Sequence, residues 1–105
     1  MLFSAQGPKP GAEMNEIAYS VRVTGQVQGV AYRAWARAEA RLLGVRGWVG
    51  NRDDGSVEAL IAGPEPRVEA MITAMGEGPG AARVTDVWTE AADPARVPEG
   101  FTIRR

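Results

Sequence analysis

Two switches of hydrophobic period constrain this chain more than any other feature. From Ile17 the residues alternate, with Ile17, Tyr19, Val21 and Val23 on one side and Ala18, Ser20, Arg22 and Thr24 on the other. That is the repeat of a half-buried β-strand. After the loop GQVQGV the spacing changes: Ala31, Trp35, Ala38 and Leu42 recur at helical intervals. Arg33, Arg37 and Arg41 fall on other faces of that helix, which Gly44 should end. VRGWVGN predicts a second strand, RDDG a tight turn in which Gly55 tolerates positive φ, and SVEALIA the returning third strand. The switch then repeats. Pro64 and Pro66 suit a second helix start, Val68, Met71, Ile72 and Met75 form its apolar stripe, and Gly76, Gly78, Pro79 and Gly80 stop it. A further strand is expected over residues 82–90, and Phe101 with Ile103 point to a short terminal one.

The order β-α-β-β-α-β with a short extra terminal strand predicts an α+β fold of the ferredoxin-like α/β sandwich type. Its sheet is mostly antiparallel and carries two helices on one face. Residues 1–16 lack periodicity and carry Gly7, Pro8, Pro10 and Gly11, so they are expected to form a flexible N-terminal extension, with Met14 a candidate natural start. Residues 17–105 then make a single domain, a size that supports one core. The fold alone serves enzymes, RNA binders and regulatory domains alike, so function has to be read from particular residues.

Composition removes whole classes of chemistry. The net charge of −1 gives no general attraction to nucleic acid, and no apolar run approaches the ~18–20 residues of a membrane span. The start MLFSAQGPKPGAE lacks a basic region followed by an apolar one, so cytoplasmic location is expected. There is no cysteine, which excludes disulfides, thiolate nucleophiles and cysteine-ligated metals. There is no histidine either, so a Ser-His-Asp triad cannot form and the usual general base near neutral pH is missing. Any chemistry must run on carboxylates, arginines, amides and backbone groups, and a zinc site is not expected.

The glycine loop is where such chemistry fits. It joins a strand to a helix N-terminus, whose unpaired N–H groups and positive dipole attract anions. Gly25 and Gly29 let the chain wrap a small anion, and Arg33 can offer a guanidinium to phosphate oxygens in bidentate fashion. A Walker A loop is excluded, because three residues rather than four separate these glycines and no lysine follows. The Gly-x-Gly-x-x-Gly dinucleotide motif is absent as well.

Two stretches carry a family resemblance. GQVQGVAYR, residues 25–33, resembles the acylphosphatase signature Gly-x-Val-Gln-Gly-Val-x-Phe/Tyr-Arg. GWVGNRDDGSVE, residues 47–58, is similar to that family's second signature, Gly-x-Val-x-Asn-x-x-Asp-Gly-x-Val/Leu. The resemblance covers residues 18–103 and implies the same ferredoxin-like fold. It also implies hydrolysis of acyl phosphates to carboxylate and inorganic phosphate without metal or cofactor. It places the substrate-binding arginine on Arg33, the water-orienting asparagine on Asn51, and the phosphate-binding loop on Gln28, Gly29, Val30, Ala31, Tyr32 and Arg33. A small-molecule acyl phosphate is then the expected partner of a monomer, with inorganic phosphate or sulfate as a site ligand. Acetyl phosphate, carbamoyl phosphate and 1,3-bisphosphoglycerate all stay open as substrates. Neither nucleic acid nor membrane is an expected partner. The chain ends FTIRR, so Arg104 and Arg105 bring further positive charge toward the site and compete for the partner of Arg33.

Other residues have plainer readings. Asp53 and Asp54 precede Gly55 in a turn and are expected to be solvated turn residues rather than an acid-base pair. Trp35, Trp48 and Trp88 are expected in the core rather than as a stacking platform, and Tyr32 as packing support for the loop. Two other functions share the topology: a non-catalytic phosphate-binding or regulatory domain, and an RNA-recognition module, whose basic-aromatic run is absent here.

Overall fold

The computed structural model describes residues 15–104. Its elements run β1 (Glu16–Gln26), α1 (Tyr32–Leu43), β2 (Arg46–Asn51), β3 (Val57–Pro64), α2 (Glu65–Glu77), β4 (Arg83–Ala92), a 3-10 turn at Pro94–Arg96, and β5 (Phe101–Arg104). This is the order that the periodicity predicts. Residues 1–14, most of the expected extension, and Arg105 lie outside the described residues.

The five strands form one sheet in the order β4-β1-β3-β2-β5. β3 pairs antiparallel with both β1 and β2, so those two strands run the same way with β3 between them. β4 adds antiparallel to β1, and β5 adds parallel to β2 at the other edge. One consequence governs the site: the C-terminal ends of β1 and β2 emerge at the same end of the sheet. Val57 opposes both Val23 of β1 and Asn51 of β2, which puts those two residues level and two strand spacings apart, ~10 Å.

Both helices cover one face. Val21, Val23, Val49, Val57, Ala59, Ile61 and Phe101 from the sheet close against Tyr32, Ala36 and Ala40 of α1 and Val68, Met71 and Met75 of α2. The α2 stripe is the one that the sequence predicts, with Ile72 half-buried at its flank. The α1 stripe is not. Spacing favours Ala31, Trp35, Ala38 and Leu42, yet Leu42 is 83% exposed and Ala38 is exposed. The buried series is Tyr32, Ala36 and Ala40. Alanine on both sides of this helix makes two apolar series available. The one chosen inserts the single large ring at its start, while two methyl side chains let the helix lie close to the sheet. Trp35 flanks it, half-buried, with its ring centroid 5.3 Å from that of Tyr32.

Gly44 ends α1 as expected, in the left-handed conformation at φ 73°, donating its N–H to the carbonyls of Ala40 and Arg41. On the opposite face of the sheet Ala18, Ala62 and Val97 form a second small cluster, because the 3-10 turn folds Val97 over the sheet. Arg46 fastens that turn: its Nη2 sits 2.8 Å from Glu16 Oε1 and donates to the Pro94 carbonyl at 2.8 Å. Trp88, expected in the core, lies 57% exposed on edge strand β4, where no helix covers it. Among the described residues, no helix is long and apolar enough to cross a membrane.

Candidate active site

The loop starts from a defect in the sheet. The β1–β4 register shifts between Thr24 and Gly25, and Gly25 adopts φ 122°. A Cβ there would lie 2.1 Å from the Arg83 carbonyl oxygen, so only glycine lets the chain leave the sheet along this path. Val27 is buried and anchors the far side, and Gly29 turns the chain at φ 76°. Ala31 then closes the loop at φ 61°, ψ 25°, in the left-handed region, as the N-cap of α1. An alanine cannot satisfy the N–H groups of the first turn, and no side-chain cap bond is made there. No acidic residue lies in that turn to offset the dipole.

The uncapped helix end opens on a cleft of about 220 Å³ lined by residues 27–29, 31–34, Asn51 and Ile103. It is smaller than the ~300–1,000 Å³ of sites that enclose drug-sized molecules, which suits a small substrate. Of the residues assigned from the sequence, Gln28, Gly29, Ala31, Tyr32, Arg33 and Asn51 all line it. Val30 does not; it is half-buried and packs against the core. Arg33 is half-buried; among the described residues it is the one charged residue lining the cleft and makes no ion pair. A larger hollow, about 430 Å³, lies over the open sheet face beside Trp88. There Arg22 and Arg52 meet Glu58 and Glu90, so its charges offset one another and nothing selects an anion.

Asn51 ends β2, and its Oδ1 is buried without a hydrogen-bond partner among the described residues. Leaving a buried acceptor unmade costs about 1–3 kcal/mol, and the large majority of buried polar side-chain atoms have a partner. Gln28 takes a different position from the one that a phosphate cradle suggests. Its Nε2 donates to the carbonyls of Arg52 and Ser56, both at 2.8 Å, so its side chain is spent on the β2–β3 hairpin and only its backbone is left for the loop. Those partners lie 24 and 28 residues away, beyond the reach of local pattern.

Neighbouring groups are accounted for by structure. The Tyr32 hydroxyl donates to the Met75 carbonyl at 2.6 Å, tying the end of the loop to α2, and burial pushes its ionisation far above the ordinary range. Asp54 accepts from the Ser56 hydroxyl and, at 2.9 Å, from the Ser56 N–H. Those bonds, then the nearby Arg52 and Arg22, hold its carboxyl below the usual range. Asp54 is thus a turn residue, and no trio of acidic, histidine or cysteine side chains among the described residues could hold a metal. Ile103 of β5 faces the cleft, whereas Arg104 alternates to the other side and stacks on Trp48 at 4.4 Å from the ring centroid. Arg104 therefore does not crowd Arg33.

Comparison with known proteins bears on this arrangement. A profile of the acylphosphatase family matches residues 19–103. The chain is 53% identical over 85 residues to a Rhizobium meliloti protein named acylphosphatase, spanning 81% of this chain and 90% of that one. It is 54% identical over 84 residues to acylphosphatase 2 of Ralstonia nicotianae, spanning 80% and 88%. The solved structure of acylphosphatase from Bacillus subtilis is similar to it with a TM-score of 0.81 at 35% identity, covering 85% of this chain and 99% of that one.

Proposed function

The chain belongs to the acylphosphatase family, and we propose that it hydrolyses the carboxyl-phosphate bond of small acyl phosphates in the cleft at the N-terminus of α1. The observation that carries this reading is that Asn51, whose buried Oδ1 has no partner among the described residues, lines the same cleft as an uncapped helix end and Arg33.

Each part has a role dictated by its chemistry. The N–H groups of the 28–33 loop and the Arg33 guanidinium hold the phosphate oxygens and offset the negative charge that gathers on them in the transition state. The Asn51 amide oxygen accepts a hydrogen from a water and so turns the water's lone pair toward phosphorus. That water attacks in line; the new P–O bond forms as the bond to the acyl oxygen breaks, and its electron pair leaves on the carboxylate. A carboxylate is a weak base, with a conjugate acid near pKa ~4, so it departs without a general acid. The absence of histidine and cysteine is then no handicap. Catalysis rests on position and fixed charge, which this cleft supplies.

Steady-state hydrolysis of a small acyl phosphate, measured with a chelator present, tests the reading. Arg33→Ala is expected to lower kcat/KM by about 10³-fold or more, on the scale of arginines in other phosphoryl transfers. Asn51→Ala should lower kcat by about 10²–10³-fold while inorganic phosphate still competes, as loss of one oriented group does elsewhere. Full turnover in either variant, or phosphate binding by a wild-type chain that does not turn over, overturns the assignment.

A further inference from the structure

We propose that Gln28 is a positioning residue: its side-chain amide sets the phosphate loop against the hairpin that carries Asn51. The inference rests on the reading of Asn51 given above. The sheet fixes where β1 and β2 end, but the loop continues beyond it, and the angle at which it meets the hairpin has to be set by something else. Both Nε2 hydrogens of Gln28 are used, one on the Arg52 carbonyl and one on that of Ser56, each at 2.8 Å. Arg52 follows Asn51 directly in the chain, so this contact grips the backbone next to the water-orienting amide.

The hairpin does not need these bonds to close. The Arg52 carbonyl also accepts from Gly55 N–H at 3.2 Å, and the Ser56 carbonyl from Arg52 N–H at 2.8 Å. Gln28 therefore adds nothing essential to the turn itself; what it adds is the connection between turn and loop. Among the described residues Asn51 Oδ1 makes no hydrogen bond of its own. Its distance from the phosphate thus depends on how its backbone is held, and Gln28 holds it from the phosphate side.

Gln28→Met keeps the length of the side chain and removes both donors. Its kcat is expected to fall by about 10- to 100-fold, the cost of a misplaced reacting group. The inhibition constant of inorganic phosphate should stay within about twofold, because the backbone N–H groups of the loop and the Arg33 guanidinium remain. Introduced into Asn51→Ala, the same substitution should cost nothing further in kcat, since there is no longer an amide to position. Gln28→Glu supplies a second test that does not depend on comparing folds. Its carboxylate repels two carbonyls but regains one donor when protonated, so its kcat deficit should shrink as pH falls toward about 4.3.

A Gln28→Met enzyme with wild-type kcat, an equal loss in the Asn51→Ala background, or a deficit in Gln28→Glu that ignores pH would overturn the proposal. Failure of the underlying reading looks different: Asn51→Ala would itself retain full activity.

Discussion

Replacing Tyr32 by Phe should remove one hydrogen bond and nothing else, and the structure shows why that bond matters. Met75 lies in the last turn of α2, where its carbonyl would pair with the N–H four residues on. That residue is Pro79, which has no N–H. Gly78 is already committed to Ala74, at 2.8 Å. The Tyr32 hydroxyl fills the gap at 2.6 Å, in a bond buried from water. Phe keeps the ring in the core and strands the carbonyl, at a cost of about 1–3 kcal/mol. With a urea slope of about 1 kcal/mol/M for a small domain, the unfolding midpoint should drop by about 1–3 M at pH 7.

The same hydroxyl gives the difference a pH dependence with a definite sign. Burial raises the Tyr32 ionisation in the folded chain above its ordinary value of 10.0. Above that pH the unfolded chain has released the proton while the folded chain still holds it, so the unfolded state binds fewer protons and stability falls as pH rises. At pH 11 the wild type should have lost about 1.4 kcal/mol by this route, and Tyr32→Phe none. Urea curves for both proteins at pH 8 and pH 11 read the gap directly. Equal midpoints at pH 8, or a gap that does not narrow at pH 11, would refute the account of Tyr32 as the partner that the helix end needs.

Ala31→Gly is expected to stabilise the protein. Ala31 sits at φ 61°, a conformation costing an L-residue about 1–2 kcal/mol, and the extra freedom of glycine in the unfolded chain returns about 0.4–1 kcal/mol of that. A net gain of about 0.5–1 kcal/mol should appear in urea unfolding; a loss would mean that the loop conformation is not strained. The kcat of the wild type is expected to be flat from about pH 6 to 9, because among the described residues no carboxylate, histidine or cysteine lines the cleft. A bell-shaped profile belonging to the enzyme rather than the substrate would point to a general acid or base outside the proposed set.

Strands and turns were legible in the sequence because alternation and glycine placement are local signals. The face of α1 was not: with alanine at so many positions, local hydrophobicity barely distinguishes the Tyr32 series from the Trp35 series. Trp88 shows the same limit in a strand. Its position on β4 was evident, but its exposure follows from β4 being an edge with no helix across that face. At the site, the loop and Arg33 could be read as an anion-binding turn from their own residues. Asn51 could be joined to them only through the family resemblance, since nothing local says that residue 51 lies level with residue 23. That fact comes from β3 entering the sheet between β1 and β2. Gln28 lines the cleft, as its place in the loop suggested, while the use of its side chain depends on carbonyls 24 and 28 residues away.

The topology also explains why a chain with so little reactive chemistry can carry this site. The two units that meet in the cleft are β1 with its loop and the β2–β3 hairpin, and the sheet holds both as a rigid frame. In the proposed mechanism neither half needs an activated nucleophile, because one contributes backbone N–H groups and a fixed charge and the other contributes a neutral amide. Activity then depends on how the halves are spaced more than on the ionisation of any group. Changes that tilt the loop against the hairpin should therefore be felt in kcat even when phosphate still binds. Changes to the exposed charges around Arg52, whose contacts to Asp54 and Glu58 are 3.7 and 3.4 Å long, should matter little by comparison.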